Sequence, residues 1–465
     1  MIPQNIKVVA LDDVEDHLVK IVRGLGRAGF SVTPFFYDDN ELEDIPVRLL
    51  EGIRIVFSDI HMSEGNHNHK MNGAAIANCL RKIISPGPFV IIFWSEYPKE
   101  ADKVFKEVCA RLEEKGHIAP IGYGAISKGE VLALSENPEE FDLNGLKEKI
   151  FEQVDKFQPL LFTAAWEEKV FRASAKTTNK LFSLTSPYDG SSKLKEWGKL
   201  TAFLGAQAVG GLNARKDIQS AVDQALLPLV EDHLSLMSGD CDVSVDAILI
   251  NINENGNIKR PKKISASQLH TGYLIELIEG DLNSVGSIRG VVIELAASFV
   301  NSGPFINYFG YEKNDLLKRE FLNNQENLTS EEASLIKLHA VELGAECDHI
   351  NDKVSTFRYL LAVLVPIELM NLFNGEGRGV GDEKGKLIFN NMSVMDAGCF
   401  SIEKNKGEGP RDFHLLISCR CFMALAIGKN ASGIPRFRLR RALLEEVAHR
   451  YVTHARRPGV MRFAA

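Results

Sequence analysis

Two adjacent carboxylates, Asp12 and Asp13, end the apolar run VVAL near the N-terminus. Like charges side by side at the tip of a buried strand are costly unless a cation or a proton compensates them. A third carboxylate, Asp59, ends the run IRIVFSD. Ser95 ends PFVIIFWS, and Lys128 directly follows IAPIGYGAIS. Three carboxylates in one place make a strong site for a hard divalent ion such as Mg²⁺, which takes oxygen ligands. A lysine ammonium and a serine hydroxyl beside them are suited to neutralise and hydrogen-bond an incoming phosphoryl group.

These residues are far apart in the chain, so the elements between them must gather them. The β-like runs KVVAL, SVTPFFY, IRIVFSD, PFVIIFWS and IAPIGYGAIS alternate with helix-length amphipathic stretches. The latter are DVEDHLVKIVRGLGRAG, DNELEDIPVRLLEG, NGAAIANCLRKII and YPKEADKVFKEVCARLEEKG. Strands that are apolar throughout and alternate with helices imply an α/β architecture, a parallel sheet covered on both faces. Ligands of such sheets sit at the carboxyl ends of the strands. Asp12, Asp13, Asp59, Ser95 and Lys128 all stand there, so they are expected to converge on one crevice.

Residues 1–135 resemble the response-regulator receiver family. The matching motifs are DD at 12–13, FSDIHM around Asp59, MNG at 71–73, IIFWSE around Ser95 and ISKG around Lys128. The resemblance implies a flavodoxin-like, doubly wound parallel five-stranded sheet of order 2-1-3-4-5. It implies that Asp59 takes a phosphoryl group from the phosphohistidine of a cognate histidine kinase. Asp13 and Asp59, with the backbone carbonyl of His61, would hold Mg²⁺, and Asp12 would sit just behind. Ser95 would bind a phosphoryl oxygen and Lys128 would contact the phosphorylated carboxylate.

Several positions depart from that family. The insertion SEGNHNHK carries His67 and His69 close after His61. A polar loop with incidental histidines is the simpler reading, because no cysteine or acidic ligand spacing accompanies them. Gly129 follows Lys128 where the family has proline, and Ala125 occupies its aromatic switch position. Glu96 places a negative charge beside Ser95, which disfavours an approaching phosphoryl group. His61 and Tyr97 are bulky and crowd the in-line path of water, which predicts slow hydrolysis of an acyl phosphate.

At 465 residues the chain should form two to four domains. Hydrophobic residues at 45%, charged residues at 25% and a mean hydropathy of −0.08 describe a soluble globular protein. No apolar run approaches the roughly 18 residues of a membrane span. The start MIPQNIKVVALDD has no signal-peptide pattern. Seven scattered cysteines suit a reducing cytoplasm better than a disulfide framework. The expectation is a cytoplasmic protein with no membrane partner. It has a receiver over 1–138, an α-helical middle domain over 139–240, and a mixed, mostly β C-terminal domain over 241–465. The stretch EEFDLNGLKEKIFEQVDKFQP reads as a closing helix that leads away from the receiver. The long amphipathic segments of the middle domain can pack on each other or on a second copy of the chain. The C-terminal region has short β-like runs, DAILININENGNIKRP and KLIFN among them, an Asn-Gly hairpin signal in NENGN and a closing helix RALLEEVAHRYVTHA, in keeping with a small barrel.

No helix-turn-helix, zinc-finger or P-loop pattern follows the receiver. The stretch VELGAECDHINDKVSTFRYLLAVLVP loosely resembles a Cys-Asp-containing β domain of bacterial multidomain proteins. The whole chain loosely resembles the atypical response regulators of bacterial antiviral defence phosphorelays. That resemblance implies a phosphoryl sink or a switch for a protein effector, with no separate catalytic activity. Two rival readings stand beside it. On a strand, Cys347 and His349 would share a face as a thiol–imidazole pair, or join Cys419 and Cys421 around zinc; buried structural cysteines are the simpler reading. From Lys429 onward there are nine basic residues and two acidic ones, +7 against −15 in the remainder. This permits a nucleic-acid contact, although intramolecular ion pairs account for it more simply.

Overall fold

The computed structural model describes residues 6–38, 41–42, 45–62, 68–129, 143–185, 192–237, 245–252, 255–256, 258, 260–278, 288–322, 328–350, 354–373, 393–403, 409–426 and 433–455. The chain forms two compact units, Met1–Thr201 with Asp223–Lys259, and Ala202–Val222 with Arg260–Ala465. A three-domain division with boundaries near 138 and 240 does not coincide with them.

The first unit is built on a mostly parallel sheet. Its strands are β1 (Lys7–Asp12), β2 (Ser31–Asp38), β3 (Glu41–Leu42), β4 (Ile53–Ser58), β5 (Val90–Ser95) and β6 (Gly122–Ser127), in the order β3-β2-β1-β4-β5-β6. The two-residue β3 pairs antiparallel with β2 and makes a sixth strand beyond the five expected. The remaining order, with β1 between β2 and β4, is that of flavodoxin-like doubly wound sheets. Strand interiors are apolar on both faces: Val8 to Leu11, and Val90 to Trp94, are all buried.

Each face has its own helices. Helices α1 (Glu15–Arg27) and α4 (Leu143–Asp155) and the start of α5 (Gln158–Phe182) cover the side of Val8, Ala10, Phe57 and Ile92. Helices α2 (His69–Ile83) and α3 (Ala101–Glu114) cover that of Val9, Leu11, Val56 and Phe93. A Cβ on Gly73 would lie 2.6 Å from Glu107 Cβ, so α2 and α3 touch closely there. Similarly, a Cβ on Gly122 would lie 2.5 Å from the Phe157 ring. The closing helix therefore lies against β6, through Ile150 and Val154, rather than leading away.

The stretch DNELEDIPVRLLEG departs from expectation. Among its described residues there is no helix, only β3 and a bridge from Leu50 to Ile84. Pro46 denies an N–H and pushes Ile45 out of the helical region. Its apolar side chains Ile45 and Val47 point to solvent. Further on, α5 carries Thr177, whose Oγ1 hydrogen-bonds buried His233 Nδ1 at 2.8 Å. His233 lies on α8 (Ile218–Leu236), which follows α6 (Ser192–Val209) and α7 (Gly211–Lys216).

The second unit holds a seven-stranded sheet of order β11-β12-β10-β9-β8-β13-β7. Its strands are β7 (Ile275–Leu277), β8 (Val291–Leu295), β9 (Lys337–Glu342), β10 (Thr356–Pro366), β11 (Val394–Glu403), β12 (Pro410–Ala426) and β13 (Gly433–Leu439). Its assigned pairings are antiparallel. Among the described residues it is an open sheet rather than the expected barrel, with β11 and β7 at its edges. One face packs on short helices between Ala297 and Leu335 through Phe305, Leu317 and Phe321. The other packs on α9 (Ala266–Leu274) and α11 (Arg441–Ala455) through Leu274, Leu443 and Val447. DAIL, read as β-like, is a helical turn over Asp246–Leu249. At NENGN, Ile252 bridges antiparallel to Ile258 and Gly256 has φ +75°. KLIFN lies outside the described residues.

Candidate functional site

The carboxyl ends of β1 and β4 and the residue after β6 bring Asp12, Asp13, Asp59 and Lys128 together. The Asp59 N–H donates to Leu11 O at 3.0 Å, which ties the two strand ends directly. One carboxylate oxygen from each of Asp12, Asp13 and Asp59 lies within 4.8 Å of the others. Lys128 Nζ donates to Asp59 Oδ2 at 2.6 Å and to Asp12 Oδ2 at 2.8 Å. Asp12 and Lys128 are each 1% exposed and Asp59 8%. The carboxylates are oriented from behind as well. Val14 N–H donates to Asp12 Oδ1 at 3.0 Å, and Ile60 N–H to Asp59 Oδ1 at 2.6 Å.

Electrostatics bear on the opening question of how two adjacent acids are tolerated. Burial works against the charge of Lys128, but Asp59 and Asp12 outweigh it and hold the ammonium above the usual lysine range. Burial, reinforced by Asp59, raises Asp12 despite that ammonium. Asp13 is pushed up to about 6 by partial burial and by the charges of Asp59 and Asp12. One lysine thus leaves three carboxylates short of positive charge. A pocket of oxygen donors with excess negative charge has the chemistry of a hard divalent cation site. The donor set fits Mg²⁺.

Ser95 ends β5, next to β4 in the sheet, and Ser58 pairs with Phe93. Asp59 and Ser95 therefore leave the same edge of the sheet. Ser95 Oγ accepts from Tyr97 N–H at 3.3 Å, which leaves its own O–H to donate. The Nε2 of His61 is 3.2 Å from Glu100 Oε2, and its ring centroid is 4.6 Å from that of Tyr97. His67 lies outside the described residues, while His69 begins α2, whose N-cap is Asn68.

One residue of the site escapes a reading of strand ends. His17, in the first turn and a half of α1, places Nδ1 3.2 Å from Lys128 Nζ. An ammonium has no lone pair, so the lysine donates and His17 accepts, with its proton on Nε2. Its spacing, one helical turn beyond Asp13, is the signal that could have found it.

The C-terminal candidates fare differently. Cys347 and His349 lie on the short helix α10 (Glu346–Ile350), not on a strand, so the shared-face inference falls. The side chain of Cys347 lies outside the described residues. His349 Nε2 is 3.1 Å from Glu342 Oε1, a fully buried carboxylate that also accepts from Gly344 N–H at 2.7 Å and Gly290 N–H at 3.2 Å. A Cβ on Gly344 would lie 2.5 Å from both Glu342 Oε1 and His349 Nε2. The distinctive VELGAECDH stretch is accounted for as packing around this carboxylate. Cys419 is buried, and Cys421, pushed up to about 11 by burial and by Glu320, packs against the core. Among the described residues, the one group of three or more acid, His or Cys side chains suited to a metal is Asp12, Asp13 and Asp59. In the basic C-terminal segment Arg436, Arg438 and Arg441 pair with Glu294, Glu276 and Glu445.

No protein-family model and no curated protein matches the chain. Among solved structures, full-length FixJ from B. japonicum is 15% identical over 53% of this chain and 98% of that chain, with a TM-score of 0.20. The RcsB response regulator of Salmonella typhimurium is 14% identical over 51% and 96%, with a TM-score of 0.16. Neither superposition establishes a shared fold over the matched length. The parallel α/β architecture of the N-terminal unit rests on its own topology. Among the described residues no helix is long and apolar enough to cross a membrane.

Proposed function

We propose that the N-terminal unit is a phosphoryl-accepting receiver and that Asp59 takes its phosphoryl group from a histidine kinase. The observation that carries this reading is Lys128, buried and bonded to both Asp59 and Asp12, beside the third carboxylate Asp13.

In the reaction an Asp59 carboxylate oxygen attacks phosphorus, an O–P bond forms, and the P–N bond of the donor breaks. Ile60 N–H and Lys128 hold the two oxygens of Asp59, so the nucleophile is oriented before the donor arrives. Lys128 neutralises charge that builds on the phosphoryl oxygens, and Ser95 donates its O–H to one of them. Asp13 and Asp59, with the His61 carbonyl, would hold Mg²⁺, and Asp12 keeps Lys128 in place. When bound, the cation supplies the charge neutralisation that lets two anions approach. His61, tied to Glu100 and with its ring 4.6 Å from that of Tyr97, would with Tyr97 narrow the path of an attacking water, so the acyl phosphate should be long-lived. A long-lived group suits a phosphoryl sink or a switch read by a protein effector. The narrower placement in a defence phosphorelay rests on the sequence resemblance alone.

The test is chemical trapping of the full chain after incubation with Mg²⁺ and acetyl phosphate. Borohydride reduces an aspartyl phosphate to homoserine, which peptide mass spectrometry locates. Homoserine at position 59 supports the proposal; its absence there, or its appearance at Asp12 or Asp13, would overturn it.

A further inference from the structure

The strand pair β11–β12, in the second unit, brings three reactive side chains to one face of the sheet. Cys399 and His414 are directly opposed partners, and Asp396 stands opposite Leu416. Three residues of β11 thus span two of β12, because the register slips between Asp396 and Cys399. Gly398, at φ +120°, is the residue that permits the slip. The bulge has a direct chemical consequence. In a regular strand, residues three apart point to opposite faces, and Asp396 could not share a side with Cys399. With the extra residue, both join His414.

The contacts follow a nucleophile–base–carboxylate order. His414 Nδ1 is 3.3 Å from Asp396 Oδ1, and Gly398 N–H donates to that same oxygen at 2.9 Å. Cys399 faces His414 directly from across the strands. Burial disfavours the imidazolium, but Asp396 and Cys399 outweigh it and push His414 up to about 9. An imidazole facing a thiol is placed to take its proton as the sulfur attacks. Other titratable groups nearby are His270 of α9, whose Nδ1 is 3.1 Å from Cys399 O, and Asp412, which accepts from Ser267 at 2.8 Å. The remaining described cysteines, Cys79, Cys109, Cys419 and Cys421, are all raised by burial.

We propose that Cys399 is a reactive thiol that gives its proton to His414, oriented by Asp396, and that its reactant is a small hydroperoxide. Size selects the reactant. Cys399 is half-buried, and the side chains of His414 and Asp396 are only 16% and 19% exposed, so a compact molecule reaches the sulfur and a bulky one does not. The sulfur attacks the terminal peroxide oxygen, an S–O bond forms and the O–O bond breaks. The leaving oxygen takes the imidazolium proton and departs as water or alcohol. Sulfur is oxidised to the sulfenic acid and the peroxide is reduced, so the step balances with one hydroperoxide and one proton.

The test uses the full chain and reads each cysteine by peptide mass spectrometry. Limiting iodoacetamide at pH 7 should alkylate Cys399 on the order of tenfold faster than half-buried Cys109. Dilute hydrogen peroxide followed by dimedone should label Cys399. His414→Gln should remove both effects, and Asp396→Asn should move the pH profile of alkylation. Reaction of wild-type Cys399 at the rate of Cys109, with no dimedone adduct, would overturn the proposal without recourse to any variant. Fast reaction that persists in a folded His414→Gln protein would overturn the role of the imidazole. None of these readouts depends on Asp59.

Discussion

The two sheets of this protein gather charged side chains in different ways. In the parallel sheet, Asp12, Asp59 and Lys128 come from segments far apart in the chain and meet because the parallel strands end on the same edge, where Ser95 also stands. In the antiparallel sheet, Asp396, Cys399 and His414 come from two neighbouring strands and meet because one residue is inserted. The first arrangement is a property of topology and survives small changes of backbone. The second depends on one glycine. The parallel site is buried and short of positive charge, whereas the antiparallel one is half-buried and balanced within itself.

The largest effect expected from breaking this contrast is at Lys128. Lys128→Met keeps the volume but leaves Asp12 and Asp59 as uncompensated buried charges, so urea denaturation should show a loss of about 3–5 kcal/mol. Millimolar Mg²⁺ should restore part of it, whereas no divalent ion should rescue a change at the other site. Next comes Gly398→Ala, which forces a side chain into a positive-φ position. Denaturation should report a cost of about 1–3 kcal/mol, and the faster alkylation of Cys399 should disappear as the bulge relaxes.

How much of each site could be read from residues alone follows the same contrast. Strand ends are visible in a sequence, because an apolar run that stops at a polar residue marks them; Asp12, Asp59 and Ser95 were found that way. His17 was not, because its role depends on where α1 lies over Lys128. A bulge leaves no periodic trace, so Asp396, Cys399 and His414 carried no signal, while the adjacent Cys347 and His349 drew attention and proved to sit on a short helix. The amphipathic pattern of DNELEDIPVRLLEG suggested a helix, yet Pro46 breaks it. The basic C-terminal run permitted a nucleic-acid contact but was read more simply as intramolecular ion pairs, and Arg436, Arg438 and Arg441 do pair with glutamates.

A smaller effect concerns pH. The folded state holds a proton on Asp13 more tightly than the unfolded chain does, since its pKa is raised from 3.8 to about 6. The folded state is therefore favoured below the unfolded value, and that advantage is lost as pH rises from about 4 to 6. Asp13 is only half-buried, so the difference between wild type and Asp13→Asn should be on the order of 1 kcal/mol across this window. Saturating Mg²⁺ should suppress it by competing with the proton. Smallest is His17→Gln, which exchanges one acceptor for another at Lys128. Chemical denaturation should register about 0.5–1 kcal/mol, with phosphorylation by acetyl phosphate changed no more than a few-fold.

The most direct measurement is intact-protein mass spectrometry of wild type and Asp59→Asn during incubation with Mg²⁺ and acetyl phosphate. A single phosphate-mass adduct on wild type that is absent from the variant, and that decays slowly once the donor is removed, is the predicted result. Equal labelling of both proteins, or of neither with a histidine kinase also supplied, would contradict the assignment of Asp59 as phosphoryl acceptor.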